Sequence, residues 1–272
     1  MPFFEHAGLR FHYEEAGQGA PFIFQHGLGG DTGQPLGLLK PPPGIRLIAF
    51  DNRGHGQTPP GDPRRLTFET FAGDWLALLD HLALPHALAG GISLGAALAL
   101  HTALRHPTRA RALVLVRPAW LDGALPEANR SLYAVIAGLI RAHGVRPAAE
   151  AFAAAPAYLA LCQESPAAAQ AFMRQFESAQ AEAAVARLER LPAQAPHPRA
   201  GWPGLRVPAL VLACRDDRLH PFDVAQALAV GLPGARFVEV ASRHAAPAAH
   251  AAEVRQAVEA FLSTHTLEGA FN

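Results

Sequence analysis

The residues best suited to chemistry begin with a serine between two glycines, in the segment Gly91-Ile92-Ser93-Leu94-Gly95. A short apolar run precedes this segment and a long alanine-rich run follows it, which predicts a strand, a tight turn and a helix. A serine on so sharp a turn has a strained backbone, and the flanking strand and helix leave no room for side chains at Gly91 and Gly95. The pattern therefore predicts that Ser93 is a nucleophile.

A serine hydroxyl is weakly nucleophilic at neutral pH, so Ser93 needs a neutral imidazole to take its proton and a carboxylate to orient that imidazole. On a parallel sheet this turn predicts the chain order serine, acid, histidine. Asp216 and Asp217 follow one apolar run, and His244 follows the next. We predict Asp217 as the acid, because the chain from Asp217 to Pro221 reads as a loop that descends into a helix, and Asp216 is the alternative.

The base must be chosen from fourteen histidines. We predict His244, because it lies on a loop beyond a strand end. His250 is the nearest rival, but it falls inside the predicted last helix. His220 is adjacent to the acid and could line the site, but we favour the interpretation that its hydrogen bonds are satisfied within its own loop.

Acyl transfer also requires hydrogen-bond donors for the oxyanion, usually backbone N–H groups that already point at it. Leu94 follows the nucleophile and supplies one such donor from the start of its helix. Leu28, in the glycine-rich loop His26-Gly27-Leu28-Gly29, is the natural choice for the other. That loop lacks the GxGxxG spacing and the lysine of a phosphate-binding loop, so a nucleotide site is not predicted there.

The elements that must hold these residues alternate between strand and helix. An opening hairpin is predicted between Phe3 and Tyr13, with its turn at Ala7-Gly8. Short apolar runs then predict buried strands, each of which ends in a polar or glycine-rich loop: Pro21–Gln25, Ile45–Phe50, His86–Ala89, Ala112–Val116, Ala209–Ala213 and Arg236–Val240. Such alternation predicts an α/β fold with a mostly parallel sheet, and functional groups should collect at the carboxyl ends of its strands.

The middle of the chain, residues 119–200, has a different pattern. Five proline-separated segments read as helices with no strand between them: Pro126–His143, Arg146–Ala154, Ala157–Gln163, Pro166–Ser178 and Gln180–Leu191. We therefore expect an α/β core formed by residues 1–118 and 201–272, with a helical cap inserted at 119–200.

Composition excludes several classes of protein. The 23 basic and 23 acidic side chains cancel, so no overall positive field attracts nucleic acid or an anionic membrane. The two cysteines, Cys162 and Cys214, show no metal-binding spacing. The N-terminus does not read as a secretion signal, and no segment has the apolar length of a transmembrane helix, so we expect a cytoplasmic location.

Together these motifs resemble the α/β-hydrolase fold serine hydrolases that carry a helical cap. The matching pieces are His26-Gly27-Leu28-Gly29, Asp51-Asn52-Arg53-Gly54-His55-Gly56, Gly91-Ile92-Ser93-Leu94-Gly95, Asp217 with Pro221, and His244. The chain departs from the family pattern at Arg243 and Ala96, where the family often has glycine. The resemblance implies an eight-stranded, mostly parallel sheet flanked by helices.

The resemblance also implies an esterase-like activity on a small-molecule substrate, with Ser93, His244 and Asp217 as the triad and no metal or organic cofactor. A lactone, thioester, amide or carbon–carbon bond could use the same residues, as could cofactor-free peroxidase chemistry. A non-catalytic ligand receptor is the alternative from another class. The cap is expected to form an apolar pocket for an uncharged substrate, and Trp120 is a candidate contact.

Overall fold

A computed structural model describes residues 2–266 of the chain, so residues 267–272 of the predicted core lie outside the described residues. Eight strands form one sheet in the order β1-β2-β4-β3-β5-β6-β7-β8. Their bounds are β1 Phe3–His6, β2 Leu9–Gly17, β3 Ala20–Gln25, β4 Ile45–Phe50, β5 Ala87–Ile92, β6 Ala110–Val116, β7 Ala209–Ala213 and β8 Arg236–Glu239. The predicted eight-stranded sheet is confirmed.

The sheet is parallel from β4 to β8, while β1 and β2 add an antiparallel edge. The opening hairpin turns at Ala7 and Gly8, which both have positive φ angles of 50° and 75°. Because such backbone angles match the right-handed twist of paired strands, they allow a tight two-residue connection. The parallel order brings the carboxyl ends of β3, β5, β6 and β7 to one edge of the sheet.

Ten α-helices flank the sheet or lie between its strands in the described residues. They are α1 Gly33–Leu38, α2 Phe68–His81, α3 Leu94–Arg105, α4 Glu127–His143, α5 Val145–Ala153, α6 Pro156–Glu164, α7 Pro166–Glu177, α8 Arg187–Arg190, α9 Phe222–Gly231 and α10 Pro247–Thr266. Helices α4 to α8 connect β6 to β7 and are called the helical insertion below. All five lie inside the segment predicted as a cap.

Two helices differ from the prediction. Helix α1 lies in a segment predicted as loop, where glycine and proline hide the helical pattern. The predicted helix Gln180–Leu191 is reduced to α8, and the chain before it forms turns. In those turns Ala184 packs so tightly against the loop after β4 that a Cβ at Gly54 would lie 2.6 Å from its methyl group. This contact with the core overrides the helical preference of the alanines.

The core has three parts, which follow from the alternation of side chains along the strands. Ile23 and Ile48 point to the face covered by α2, α3 and α9, whereas Phe22, Phe24 and their neighbours point to the face covered by α10. The third cluster joins the helical insertion to the ends of α2 and α3. No helix within residues 2–266 has the length and apolarity that crossing a membrane requires.

Candidate active site

Ser93 lies on a strained turn between β5 and α3. Its φ of 55° and ψ of −106° are unfavourable for a residue with a side chain. A Cβ at Gly91 would lie 2.4 Å from the carbonyl carbon of Gly95, and a Cβ at Gly95 would lie 2.3 Å from the carbonyl oxygen of Gln25. Both distances are far below contact distance, so this turn requires glycine at both positions. The geometry is that of a nucleophile elbow.

The amides predicted to bind an oxyanion lie close to the serine. A Cβ at Gly27 would be 3.5 Å from the Cβ of Ser93, which shows how closely the loop after β3 approaches it. Within residues 2–266, no acceptor is found for the N–H groups of Leu28 and Leu94. Gln175 of α7 donates to the carbonyl oxygen of Leu28 at 3.1 Å and so fixes this loop from the helical insertion. Both amides are therefore free to donate to a bound oxyanion.

Buried polar side chains hold the surrounding loops in place. His26 accepts a hydrogen bond from the N–H of Asn52 at 3.1 Å, and the carboxylate of Asp51 accepts from the N–H groups of Thr32 and Gln57, both at 2.8 Å. These bonds connect the loops after β3 and β4, and in this arrangement His26 and Asp51 hold the two loops together.

Asp217 is buried on the loop after β7, with only 4% of its side chain exposed. Its Oδ1 accepts from the N–H of Leu219 at 3.1 Å. Burial favours the neutral acid, but His220 and the charges of Arg243 and Arg117 outweigh it and hold the pKa of Asp217 well below its ordinary value. By contrast, Asp216 is exposed. Of the two candidate acids, Asp217 is thus the one in an enclosed, ionised state.

His220 is the histidine that pairs with this acid. Its Nδ1 lies 2.8 Å from Oδ2 of Asp217, and its side chain is almost wholly buried. An ionised carboxylate can only accept, so Nδ1 carries the proton and Nε2 is left as an acceptor. Burial lowers the pKa of His220, and the charges of Arg117 and Arg243 lower it further against the opposing effect of Asp217. The imidazole is therefore neutral at neutral pH.

His244, the base predicted from the sequence, lies elsewhere. Its side chain is exposed and lines a separate surface groove with Tyr158 and Cys162. His244 lies in a turn in which Ser242 Oγ accepts from the N–H groups of His244 and Ala245, both at 3.3 Å. The preceding residue, Arg243, lies 3.6 Å from Asp217, while the side chain of His244 is exposed.

His250, the rival candidate, is buried in the first turn of α10. Its Nδ1 lies 2.8 Å from the carbonyl oxygen of Ala241, and its Nε2 has no partner within the described residues. It does not line the cavity that contains Ser93. The arrangement therefore brings His220, but neither His244 nor His250, to the wall of that cavity, and Asp217 lies behind it, hydrogen-bonded to its Nδ1.

The cavity in front of Ser93 has a volume of about 740 Å³ and is covered by α4 and α7 of the helical insertion. Trp120 lines it, as expected, together with Leu125 and Tyr133. Three arginines also line the cavity, beside the apolar residues expected there: Arg117, Arg174 and Arg243. Its composition suits a substrate that is partly apolar and partly polar.

Comparison with known proteins agrees with this fold. The sequence model of the α/β hydrolase fold family matches residues 20–250, so the chain belongs to that family. It is a hydrolase of the α/β fold.

Among relatives, the chain is 34% identical over 235 residues to a protein of Variovorax paradoxus named "Putative carbamate hydrolase RutD", covering 82% of this chain and 85% of the relative. Among solved structures it is similar to an enol-lactonase from Burkholderia xenovorans, with a TM-score of 0.74, 25% identity and coverage of 96% of this chain and all of the other. A thermophilic esterase from Thermogutta terrifontis has the same fold, with a TM-score of 0.72, 24% identity and 97% coverage of both chains.

Proposed function

We propose that the protein hydrolyses a carboxylic ester-like bond of a small substrate through an acyl-enzyme on Ser93. The observation that carries this proposal is the 2.8 Å hydrogen bond between Asp217 and His220, a histidine that lines the cavity containing Ser93. The strained turn at Ser93 and the free amides of Leu28 and Leu94 support it.

The chemistry has two halves. In the first, Ser93 Oγ attacks the carbonyl carbon while its proton passes to Nε2 of His220, and the Leu28 and Leu94 amides stabilise the oxyanion. The bond to the leaving group breaks, and that group takes the proton from His220. In the second half, water attacks the acyl-enzyme, gives a proton to His220, and releases the acid as the proton returns to Ser93.

In this proposal the base is His220, with His244 as the alternative that the sequence pattern favours. Two properties support His220: it faces the same cavity as Ser93, and its Nδ1 is held by an ionised carboxylate. The exposed position of His244 offers neither. The chain order serine, acid, histidine is kept in both assignments.

In this proposal the bond that is hydrolysed joins an acyl carbonyl carbon to a leaving group. The relative named a carbamate hydrolase and the solved enol-lactonase support this class, because carbamates and lactones both contain an acyl carbonyl carbon. An open or cyclic ester is the simplest substrate that the proposed mechanism accommodates, because an alkoxide leaves more readily than the nitrogen of an amide. Lactone hydrolysis is therefore included in the proposal as a variant of the same reaction.

A fluorophosphonate probe tests the proposal, because it traps a serine only when that serine is activated. We expect the folded protein to form a single adduct that peptide mass mapping assigns to Ser93, and the Ser93→Ala variant to form none. Heat-denatured protein is the control for nonspecific labelling. A native protein that remains unlabelled, or that is labelled elsewhere, would contradict the proposed function.

A further inference from the structure

Three arginines from three different elements face the cavity in front of Ser93. Arg117 directly follows β6, Arg174 lies in α7, and Arg243 lies on the loop after β8. Their guanidinium groups are close enough for the charges of Arg174 and Arg243 to lower the pKa of Arg117 in addition to the larger effect of burial. Like charges gathered at one end of a cavity repel one another, so this arrangement is costly when the cavity is empty.

Arg117 is the most unusual of the three. It is 8% exposed, its Nε has no hydrogen-bond partner, and it forms no ion pair with any carboxylate within residues 2–266. Burying a cation without a directly bonded carboxylate is unfavourable, and the nearby charge of Asp217 offsets only part of that cost. Burial is the largest reason why the pKa of Arg117 falls to about 10, and even so the side chain remains charged at neutral pH.

The backbone of Arg117 fixes this side chain beside the nucleophile. Its N–H donates to the carbonyl oxygen of Leu212 at 2.7 Å, and the preceding residue, Val116, accepts from the N–H of Ser93 at 3.1 Å. Arg117 also has a positive φ of 46°, a strained value for a residue with a side chain. Such strain is often concentrated at sites that bind ligands.

The carboxylates near these arginines do not balance them. Asp217 is the buried one, and it is already bonded to His220 and lies 3.6 Å from Arg243. Asp31 and Glu177 also line the cavity and are exposed, and of the two the charge of Glu177 acts on Arg174. Three guanidinium charges therefore face one enclosed carboxylate, which leaves a net positive charge at this end of the cavity.

We propose that this cluster, named the arginine subsite, binds a carboxylate that the substrate carries in addition to its scissile acyl bond. This inference rests on the proposed function, since it names the substrate class of the same site. The substrate is then a half-ester or lactone of a small dicarboxylic acid. A guanidinium presents a planar pair of N–H donors that match the two oxygens of a carboxylate, and a desolvated site strengthens that pairing.

Two aryl esters of matched size test the arginine subsite: the mono-p-nitrophenyl ester of glutaric acid and p-nitrophenyl pentanoate, which has a methyl group in place of the carboxylate. We expect the wild-type protein to have a kcat/KM at least tenfold higher for the charged ester. The Arg117→Met variant should lose at least tenfold of this preference, and Arg174→Met should lose a smaller part. Arg146→Met, which changes a side chain that is 92% exposed on α5, is the matched control and should keep the wild-type preference.

A binding measurement separates failure of the arginine subsite from failure of the proposed function. Glutarate should raise the melting temperature of the Ser93→Ala variant in a dose-dependent way, and the Ser93→Ala, Arg117→Met double variant should lose this shift. Absence of esterase activity together with this glutarate-dependent shift would refute the proposed function and leave the subsite standing. Equal kcat/KM for the two esters, no shift with glutarate, or stronger stabilisation by inorganic phosphate than by glutarate would each overturn the carboxylate assignment.

Discussion

Asp217 and His220 lie three residues apart on one loop, and their side chains form a hydrogen bond of 2.8 Å. The acid and the base of the proposed mechanism therefore come from the same loop after β7, while Ser93 comes from the turn after β5. Because the two strand ends lie at one edge of the sheet, a single loop after β7 can place both the proposed acid and the proposed base near Ser93. The next loop, after β8, contributes Arg243 to the lining of the cavity.

The first prediction concerns the acid. Replacement of Asp217 by Asn should lower kcat for an aryl ester by about 10³-fold or more, because the imidazole loses the carboxylate that sets its tautomer and stabilises its charge. Asp216→Asn is the matched control and should change kcat by less than about threefold, since its side chain is exposed. Steady-state kinetics measure kcat for both variants. A larger loss of kcat in Asp216→Asn than in Asp217→Asn would assign the role of the acid to Asp216.

The second prediction concerns pH. His220 must be neutral to accept the proton of Ser93, and its pKa lies below the ordinary imidazole value. Activity should therefore persist as pH falls through 6.5 and be lost only at lower pH, when His220 becomes protonated. A kcat/KM profile between pH 4 and 8 measures this midpoint. A midpoint at or above about 6.5 would contradict the proposed environment of the base.

The third prediction concerns the turn that carries Ser93. Gly91→Ala should destabilise the fold by about 2 kcal/mol or more, because the new methyl group would lie 2.4 Å from a backbone carbon of Gly95. Gly73→Ala is the matched control, since a Cβ there meets no atom within 4 Å in the middle of α2. It should be neutral or stabilising by up to about 1 kcal/mol. Urea unfolding measures the free energy of unfolding of both variants. A Gly91→Ala protein as stable as the wild-type protein would contradict the steric argument.

The fourth prediction concerns stability in acid. Burial lowers the pKa of His197 to about 4. Between the ordinary imidazole value and pH 4 the unfolded chain binds a proton that the folded chain does not, so the free energy of unfolding falls as the pH falls. This histidine alone accounts for roughly 3 kcal/mol across that range. Urea unfolding at pH 7 and pH 4.5 should show a smaller difference for His197→Gln than for the wild-type protein, and an unchanged difference would contradict the assignment.

Much of the fold is predictable because its signals are local. The apolar runs that form β4 and β7 begin and end at the predicted residues, and the turn at Ser93 is defined by two glycines that have clear steric roles. The shortening of the predicted helix Gln180–Leu191 was not predictable in this way. It depends on contact between Ala184 and Gly54, which lie far apart in sequence.

The choice of the proposed base illustrates the same limit. The order of motifs along the chain favours His244, because a histidine just beyond a strand end usually faces the nucleophile. Whether it does so depends on which side chain the turn at Ser242 points inward, and here that side chain is Arg243. The signal for His220 was present as a histidine three residues after the acid, but the sequence could not show that the loop folds back on itself.

The most direct test of the account is the comparison of two histidine variants on one aryl ester. His220→Asn should lower kcat/KM by about 10³-fold or more, because Ser93 loses the group that accepts its proton. His244→Asn, a change of the same size at an exposed position, should retain activity within about threefold. Circular dichroism and urea unfolding of both variants control for damage to the fold. Full activity in folded His220→Asn protein, together with loss of activity in His244→Asn protein, would contradict the proposed site.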